Sequence, residues 1–330
     1  MTQDDSLAVL GAGAFGTALA NVAARAGRKV ILWAREQAVA GEINTRRSNA
    51  RRLPGAVMHE RVTATTSLEE AAGASMILAV VPAQALREVT RAAAAAIRPG
   101  TAFVICAKGI ERGTGRFMSE IVAEEAPDAV PAVLSGPSFA ADIDRGLPTA
   151  VTVAAHAEDE ARRIAAALGS PSFRLYHTTD IRGVEIGGAT KNVLAIAAGI
   201  VAGRRLGASA TAALTARGFA ELSRFGAHFG AKPQTLMGLS GLGDLILSCA
   251  SVQSRNFALG HALGEGKGLE LVSGKGALAE GALTAEILVE KAREAGVDMP
   301  ISEAVDAVLG GIIDVDQAIV QLMARPQRAE

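Results

Sequence analysis

The chain of 330 residues contains only two cysteines, one tryptophan and one tyrosine. Cys106 and Cys249 each lie in an apolar run with no metal-type Cys/His spacing around them, which excludes a disulfide framework and predicts reduced core residues and no metal site. Runs of one charge are missing as well. Formal charge is -1, and no Lys/Arg block is long or interleaved with aromatics, so a nucleic-acid partner is not expected. The densest basic cluster, Arg46-Arg47 with Arg51-Arg52, reads as a solvated loop or as help in holding one phosphate. The longest uncharged apolar run, Val193 to Gly203, has eleven residues, short of the roughly 20 that a membrane-spanning helix needs. The start, MTQDDSLAVLGAG, lacks the basic, apolar and small-residue zones of a signal peptide. A cytoplasmic protein with no membrane partner is the expectation.

At this length two domains are expected, each with a substantial core. Short β-branched or apolar runs alternate with Ala-rich helical stretches up to about residue 180: LAVL at 7, KVILW at 29, SMILAVV at 75, TAFVICA at 101, AVLS at 132 and TAVTVAA at 149. FRLYH at 173 is a candidate edge strand. This rhythm predicts βαβ units around a mostly parallel sheet buried on both faces. From Val184 onward the pattern is Ala/Leu-rich at helical spacing, and its glycine density favours several short helices over a few long ones. The fold class is therefore α/β: a doubly wound Rossmann-type domain over 1–182 and an all-helical domain over 183–330.

The first strand runs into Gly11-Ala12-Gly13-Ala14-Phe15-Gly16, followed by a helical stretch and a second strand. That context turns a weak glycine pattern into a dinucleotide-binding turn: Gly11 for the bend, Gly13 for approach to a pyrophosphate, Gly16 for helix packing. Helix N-terminal amides hold the anion. The second strand's tip reads Trp33-Ala34-Arg35-Glu36. An Arg there accommodates a ribose 2′-phosphate and an acid accepts a 2′-hydroxyl. Arg35 comes first, so NADP(H) is preferred, with NAD(H) open through Glu36.

Ligands of such sheets sit beyond the strands' carboxyl ends. Lys108 follows one such end, where a surface lysine would be unremarkable but a charge over a cofactor cleft well placed. Gly136, Pro137 and Ser138 follow the next, with Pro137 and Ser138 resembling a helix start. Lys191 and Asn192 are the only charged and amide side chains of a run that stays apolar to Gly203. A buried lysine is costly, which favours a functional role over one that snorkels to the surface. Desolvation and a nearby cation would lower its pKa into a range suited to proton transfer near neutral pH. At 100° per residue Asp244, Ser248 and Arg255 fall within about 20° of one helical face, provided that one helix persists through 250–254. Such a face could orient Lys191 through its carboxylate and clasp a phosphate through Arg255 and its neighbour Asn256.

These segments, GAGAFGTALA at 11, AKGIE at 107, SGPSFAADIDRGLPTAV at 135, EIGGATKNVLAIAAGI at 185, GLGDLILSCASVQSRN at 241 and AEG at 279, closely resemble those of bacterial NAD(P)-dependent glycerol-3-phosphate dehydrogenases over nearly the full length. The resemblance implies reversible hydride transfer between NAD(P)H and dihydroxyacetone phosphate, giving sn-glycerol 3-phosphate for glycerophospholipid synthesis, in a homodimer. It implies Lys191 as proton donor or acceptor and Lys108 as a contact to substrate and cofactor. Asp244 and Ser248 border the reacting carbon. Arg255 and Asn256, with Ser254, take the substrate phosphate, Arg255 also lying near the cofactor. Ala14, Phe15, Arg35, Gly136, Ser138, Ala140, Leu278 and Glu280 fall where the family touches substrate or NADPH. Ser209 stands where the family commonly has Asn, and Asp142 where it usually has Glu. Rival readings are a two-domain dehydrogenase of the β-hydroxyacid or 6-phosphogluconate type, which would lack GLGD and Ser-Arg-Asn, and a nucleotide-binding sensor without turnover.

Overall fold

The computed structural model describes residues 6–268 and 279–326. The chain forms two compact units: one of the residues up to Lys108 with Arg116–Glu185, the other of Gly109–Gly115 with the residues from Ile186 on.

The first unit is built on strands β1 (Ser6–Leu10), β2 (Lys29–Trp33), β3 (Val62–Thr65), β4 (Met76–Ala79), β5 (Ala102–Ile105), β6 (Val130–Ser135), β7 (Thr149–Ala155) and β8 (Phe173–Thr178). They lie in the order β3-β2-β1-β4-β5-β6-β7-β8. Pairing is parallel except between β6 and β7. The mostly parallel sheet and its FRLYH edge strand thus agree with the sequence reading, which has no counterpart of β3. VTAT is short, half threonine and paired on one side only, so it lacks the apolar run that marks the inner strands.

Successive side chains of a strand point to opposite faces. Leu7 and Val9 accordingly enter one apolar core and Ala8 and Leu10 the other. Helices α1 (Ala14–Arg25), α2 (Gln37–Arg46), α6 (Ala140–Asp144) and α7 (Glu158–Leu168) contribute to the first core. Helices α3 (Leu68–Ala72), α4 (Leu86–Ala93) and α5 (Met118–Glu125) contribute to the second. From β1 the chain winds outward through β2 to β3, and from β4 the opposite way through β5 to β6. The crevice of such a sheet opens where those directions diverge, at the carboxyl ends of β1 and β4.

In the second unit all regular elements among the described residues are helical. They are α8 (Ile181–Gly203, from Ile186 on), α9 (Ala208–His228), α10 (Pro233–Leu236), α11 (Asp244–Cys249) and α12 (Arg255–Gly264), then helices Glu280–Glu294, Pro300–Leu309 and Val315–Met323. α8 has 23 residues, and 89% of its most apolar window is buried, as befits a core helix. α10, α11 and α12 are short, but α8 and α9 depart from the expected short helices. The glycines of α8 are not turn residues. A Cβ on Gly199 would lie 2.1 Å from the Phe257 oxygen, and one on Gly260 would lie 1.9 Å from the Ile196 oxygen, so α8 and α12 touch backbone to backbone.

Candidate active site

The candidate coenzyme site of the first unit begins where β1 bends into α1. Gly11 has φ +116°, and a Cβ there would stand 2.6 Å from the Val80 oxygen; one on Gly16 would stand 1.9 Å from the Gly11 oxygen. Neither position tolerates a side chain. Gly13 has nothing within 4 Å of such a Cβ, which leaves the outer side of the turn open. Gly13 caps α1 without a side chain, and no acid stands in the first turn. The amides of Ala14, Phe15 and Gly16 therefore have no side-chain cap and form a cradle that fits a pyrophosphate. Gly16→Ala is expected to weaken NADPH binding at least about tenfold, since the added methyl would displace the cradle itself; a fluorescence titration of NADPH checks it.

Buried Asn49 holds this turn from outside the motif, its Nδ2 donating to the Ala12 oxygen at 3.0 Å and to Thr17 Oγ1 at 2.8 Å. An asparagine in a loop so far along the chain has no local signature that would reveal this role. At the tip of β2, Arg35 is exposed and has no partner among the described residues. Glu36 is not free: Arg52 Nη2 lies 3.2 Å and Arg51 Nη1 3.8 Å from its carboxylate. Arg47, in a left-handed conformation, donates to the Met58 and Val62 oxygens at 3.2 and 2.8 Å. Arg46, Arg51 and Arg52 are exposed, in line with a solvated loop, and Arg47 alone is tied to the backbone.

Beyond the end of β5, Lys108 Nζ approaches the Gly136 oxygen at 3.4 Å, and Ser138 Oγ donates to the same oxygen at 2.9 Å. Gly136 has φ +146°, and a Cβ there would meet Val151 Cα at 2.9 Å. The helix expected to start at Pro137 and Ser138 starts instead at Ala140, with Phe139 as its cap. Asp142, the shorter acid of α6, pairs with Arg145 at 2.7 Å.

The second unit holds the most concentrated chemistry. Lys191 Nζ, on α8, donates to Asp244 Oδ1 and to Ser248 Oγ, both at 2.8 Å. All three are buried: Lys191 is 8% exposed, Asp244 1% and Ser248 2%. Asp244 and Ser248 are one turn apart on α11, which puts both on the face that meets α8. The charge beside Lys191 in this cluster is the Asp244 carboxylate, the partner that the sequence reading gave it. A π-helical turn, Leu239–Gly243, leads into Asp244. Such turns re-aim side chains and recur at functional sites. Gly241 permits this one: a Cβ there would lie 2.0 Å from the Leu236 oxygen.

Arg255 does not share a helix with Asp244 and Ser248. α11 stops at Cys249, and Ser254 caps a new helix, its Oγ accepting from the Phe257 amide at 3.3 Å. Ser251 shapes the break, its hydroxyl accepting from the Gln253 amide at 3.2 Å. Serine side chains that bond nearby backbone compete with helix continuation. Arg255 occupies the first position of α12, exposed and with no partner among the described residues. Asn256 turns inward: its Nδ2 donates to Asn192 Oδ1 and its Oδ1 accepts from the Gly281 amide, both at 2.9 Å. It ties α12 to α8 and to the start of helix Glu280–Glu294, whose first residue is Glu280, and keeps one amide hydrogen. Leu278 lies outside the described residues. Ser209 is exposed near the start of α9.

Two other buried carboxylates serve the scaffold. Burial pushes Glu185 up to about 7, with its Oε1 accepting from the Ser119 amide at 2.6 Å. Burial likewise pushes Glu221 up to about 7 while it accepts from the Ile301 and Ser302 amides that open helix Pro300–Leu309. Both cysteines are free and buried, as expected, and burial pushes each thiol up to about 12.

Residues 6–161 match the family described as NAD-dependent glycerol-3-phosphate dehydrogenase N-terminus, and residues 180–320 match its C-terminus counterpart. The chain is 62% identical, over the whole of both chains, to a protein of Azorhizobium caulinodans named glycerol-3-phosphate dehydrogenase [NAD(P)+]. It is 59% identical to one of the same name from a Bradyrhizobium species, again over the whole of both. Among solved structures, the glycerol-3-phosphate dehydrogenase of Coxiella burnetii superimposes with a TM-score of 0.92 at 38% identity, over 97% of this chain and 99% of that one.

Proposed function

Because the chain belongs to the NAD-dependent glycerol-3-phosphate dehydrogenase family, we propose that Lys191, held by Asp244 and Ser248, is the proton-transferring group of an NAD(P)-dependent glycerol-3-phosphate dehydrogenase. The enzyme reversibly reduces dihydroxyacetone phosphate to sn-glycerol 3-phosphate. The observation that carries the assignment of Lys191 is its burial on a pair of acceptors at 2.8 Å, an arrangement that fixes an ammonium in one orientation.

The nicotinamide coenzyme, when bound, supplies or takes up the hydride. Gly11, Gly13, Ala14, Phe15 and Gly16 would hold its pyrophosphate and Arg35 its ribose end, and the family resemblance assigns further contacts to Lys108, Ala140, Arg255 and Glu280. During ketone reduction negative charge gathers on the substrate oxygen. The Lys191 ammonium stabilises that charge and gives up its proton to it. Asp244 keeps the nitrogen oriented. In the reverse direction the neutral amine accepts the hydroxyl proton. Lys108, Gly136 and Ser138 border the substrate. Its phosphate is taken by Arg255 and the free amides at the start of α12, with Ser254 and Asn256 fixing that end.

Arg255→Ala should raise the KM for dihydroxyacetone phosphate about tenfold or more with a smaller change in kcat, as loss of a charge-assisted contact requires. Steady-state kinetics check this, and an unchanged KM would move the phosphate site elsewhere. The reaction is tested by following NADPH and NADH oxidation with dihydroxyacetone phosphate against unphosphorylated dihydroxyacetone. Turnover with hydroxyacid substrates instead would favour the β-hydroxyacid reading, and nucleotide binding without any turnover the sensor. The reading carries with it a cytoplasmic homodimer serving glycerophospholipid synthesis; light scattering after size exclusion tests the dimer.

A further inference from the structure

We propose that Arg52, with Arg51 beside it, is a specificity-determining residue for the 2′-phosphorylated coenzyme and acts by occupying the carboxylate of Glu36. The inference rests on the reading that the first unit binds a nicotinamide dinucleotide. In such folds an acid at the tip of the second strand accepts the hydroxyls of an unphosphorylated ribose. Glu36 is the acid at that tip. Its side chain makes no capping bond to α2, although it stands at the cap position. Arg52 Nη2 donates to Glu36 Oε1 at 3.2 Å, and Arg51 Nη1 lies 3.8 Å from Oε2.

An exposed ion pair ordinarily contributes little, because two long side chains must be ordered to make it. Here the turn that carries the arginines is already ordered. The Arg52 and Leu53 amides donate to the Asn49 oxygen at 3.1 and 2.9 Å. Asn49 is itself bonded to the glycine turn and to Thr17, and Leu53, Ala56 and Met58 are buried in the core. Asn21, on α1, ties down the far end, its Nδ2 donating to the Val57 oxygen at 3.1 Å and its Oδ1 accepting from the His59 amide at 2.9 Å. Arg52 is thus delivered to Glu36 from a segment pinned at both ends. The carboxylate has its charge compensated by both arginines and its Oε1 engaged by Arg52, which weakens it as the acceptor an NAD-type ribose would use. Arg35, exposed beside it, is left to meet a 2′-phosphate.

Three proteins test this: wild type, Arg51→Ala/Arg52→Ala, and Glu36→Gln/Arg51→Ala/Arg52→Ala. The readout is kcat/KM for NADPH relative to NADH with dihydroxyacetone phosphate. The double variant is expected to lower that ratio about tenfold or more, chiefly through the coenzyme KM, and the triple variant to recover most of it. A ratio unchanged in the double variant overturns the inference. So does a triple variant as low as the double, because the arginines would then not act through Glu36. Titration of 2′,5′-ADP against 5′-AMP repeats the comparison without turnover. Failure of the coenzyme reading is a different result, wild-type protein that binds neither nucleotide and oxidises neither coenzyme, and it would remove this inference with it.

Discussion

Lys191→Ala is expected to lose about 10²- to 10⁴-fold in kcat, the range a positioned proton donor supplies, while NADPH still binds. The two effects separate because the glycine turn and Arg35 belong to the first unit and Lys191 to the second. Stopped-flow or steady-state turnover, paired with an NADPH titration on the same protein, checks both. Lys191→Arg sharpens the result. A guanidinium keeps the positive charge but does not cycle a proton near neutral pH. If charge alone stabilised the alkoxide, the arginine variant would retain most of the rate; if proton transfer matters, it stays close to the alanine variant. Near-normal turnover in Lys191→Ala would remove the lysine from the mechanism altogether.

That lysine was legible in the sequence because of what surrounds it. A single charge in a run destined for burial must find a partner or a task, and Asp244 stands out of its Gly/Leu segment for the same reason. Their meeting at 2.8 Å therefore follows from apolar context more than from spacing. The inner strands were legible for a related reason, since a parallel strand covered on both faces is apolar throughout. β3 escaped because VTAT is paired on one side only and needs no such run.

What the sequence conceals is mostly side-chain to backbone bonding over long distances. Periodicity places Arg255 on the face of Asp244 only if one helix spans 250–254, and local serine bonds at Ser251 and Ser254 end it. Asn256 reads as an anion ligand beside Arg255, yet it reaches Asn192 and the Gly281 amide, partners that no local window contains. Asn49 and Arg47 are likewise invisible as anchors, because their acceptors are backbone oxygens on other elements. The glycines of α8 mislead in another way. Glycine density suggests turns, but Gly199 lies inside a long helix and serves the close crossing with α12.

The pair formed by Lys191 and Asp244 separates stability from catalysis. Removing one member of a buried ion pair strands the other charge, so Asp244→Leu is expected to destabilise the protein by about 3–5 kcal/mol. The second unit should bear that loss, since α8 and α11 both belong to it. Replacing both members, as Lys191→Met/Asp244→Leu, leaves no stranded charge, and stability should return to within about 1–2 kcal/mol of wild type or exceed it. Activity should not return, because the proposed proton donor is gone. Urea unfolding followed by far-UV circular dichroism gives the first quantity and coenzyme oxidation the second. A double variant as unstable as Asp244→Leu would mean that Asp244 supports the fold through bonds other than the one to Lys191. A stable double variant with full turnover would mean that the reaction does not pass through this pair. Restored stability without activity is the outcome expected from the proposed role of Lys191, since apolar side chains would hold the fold as well as the desolvated charge pair does.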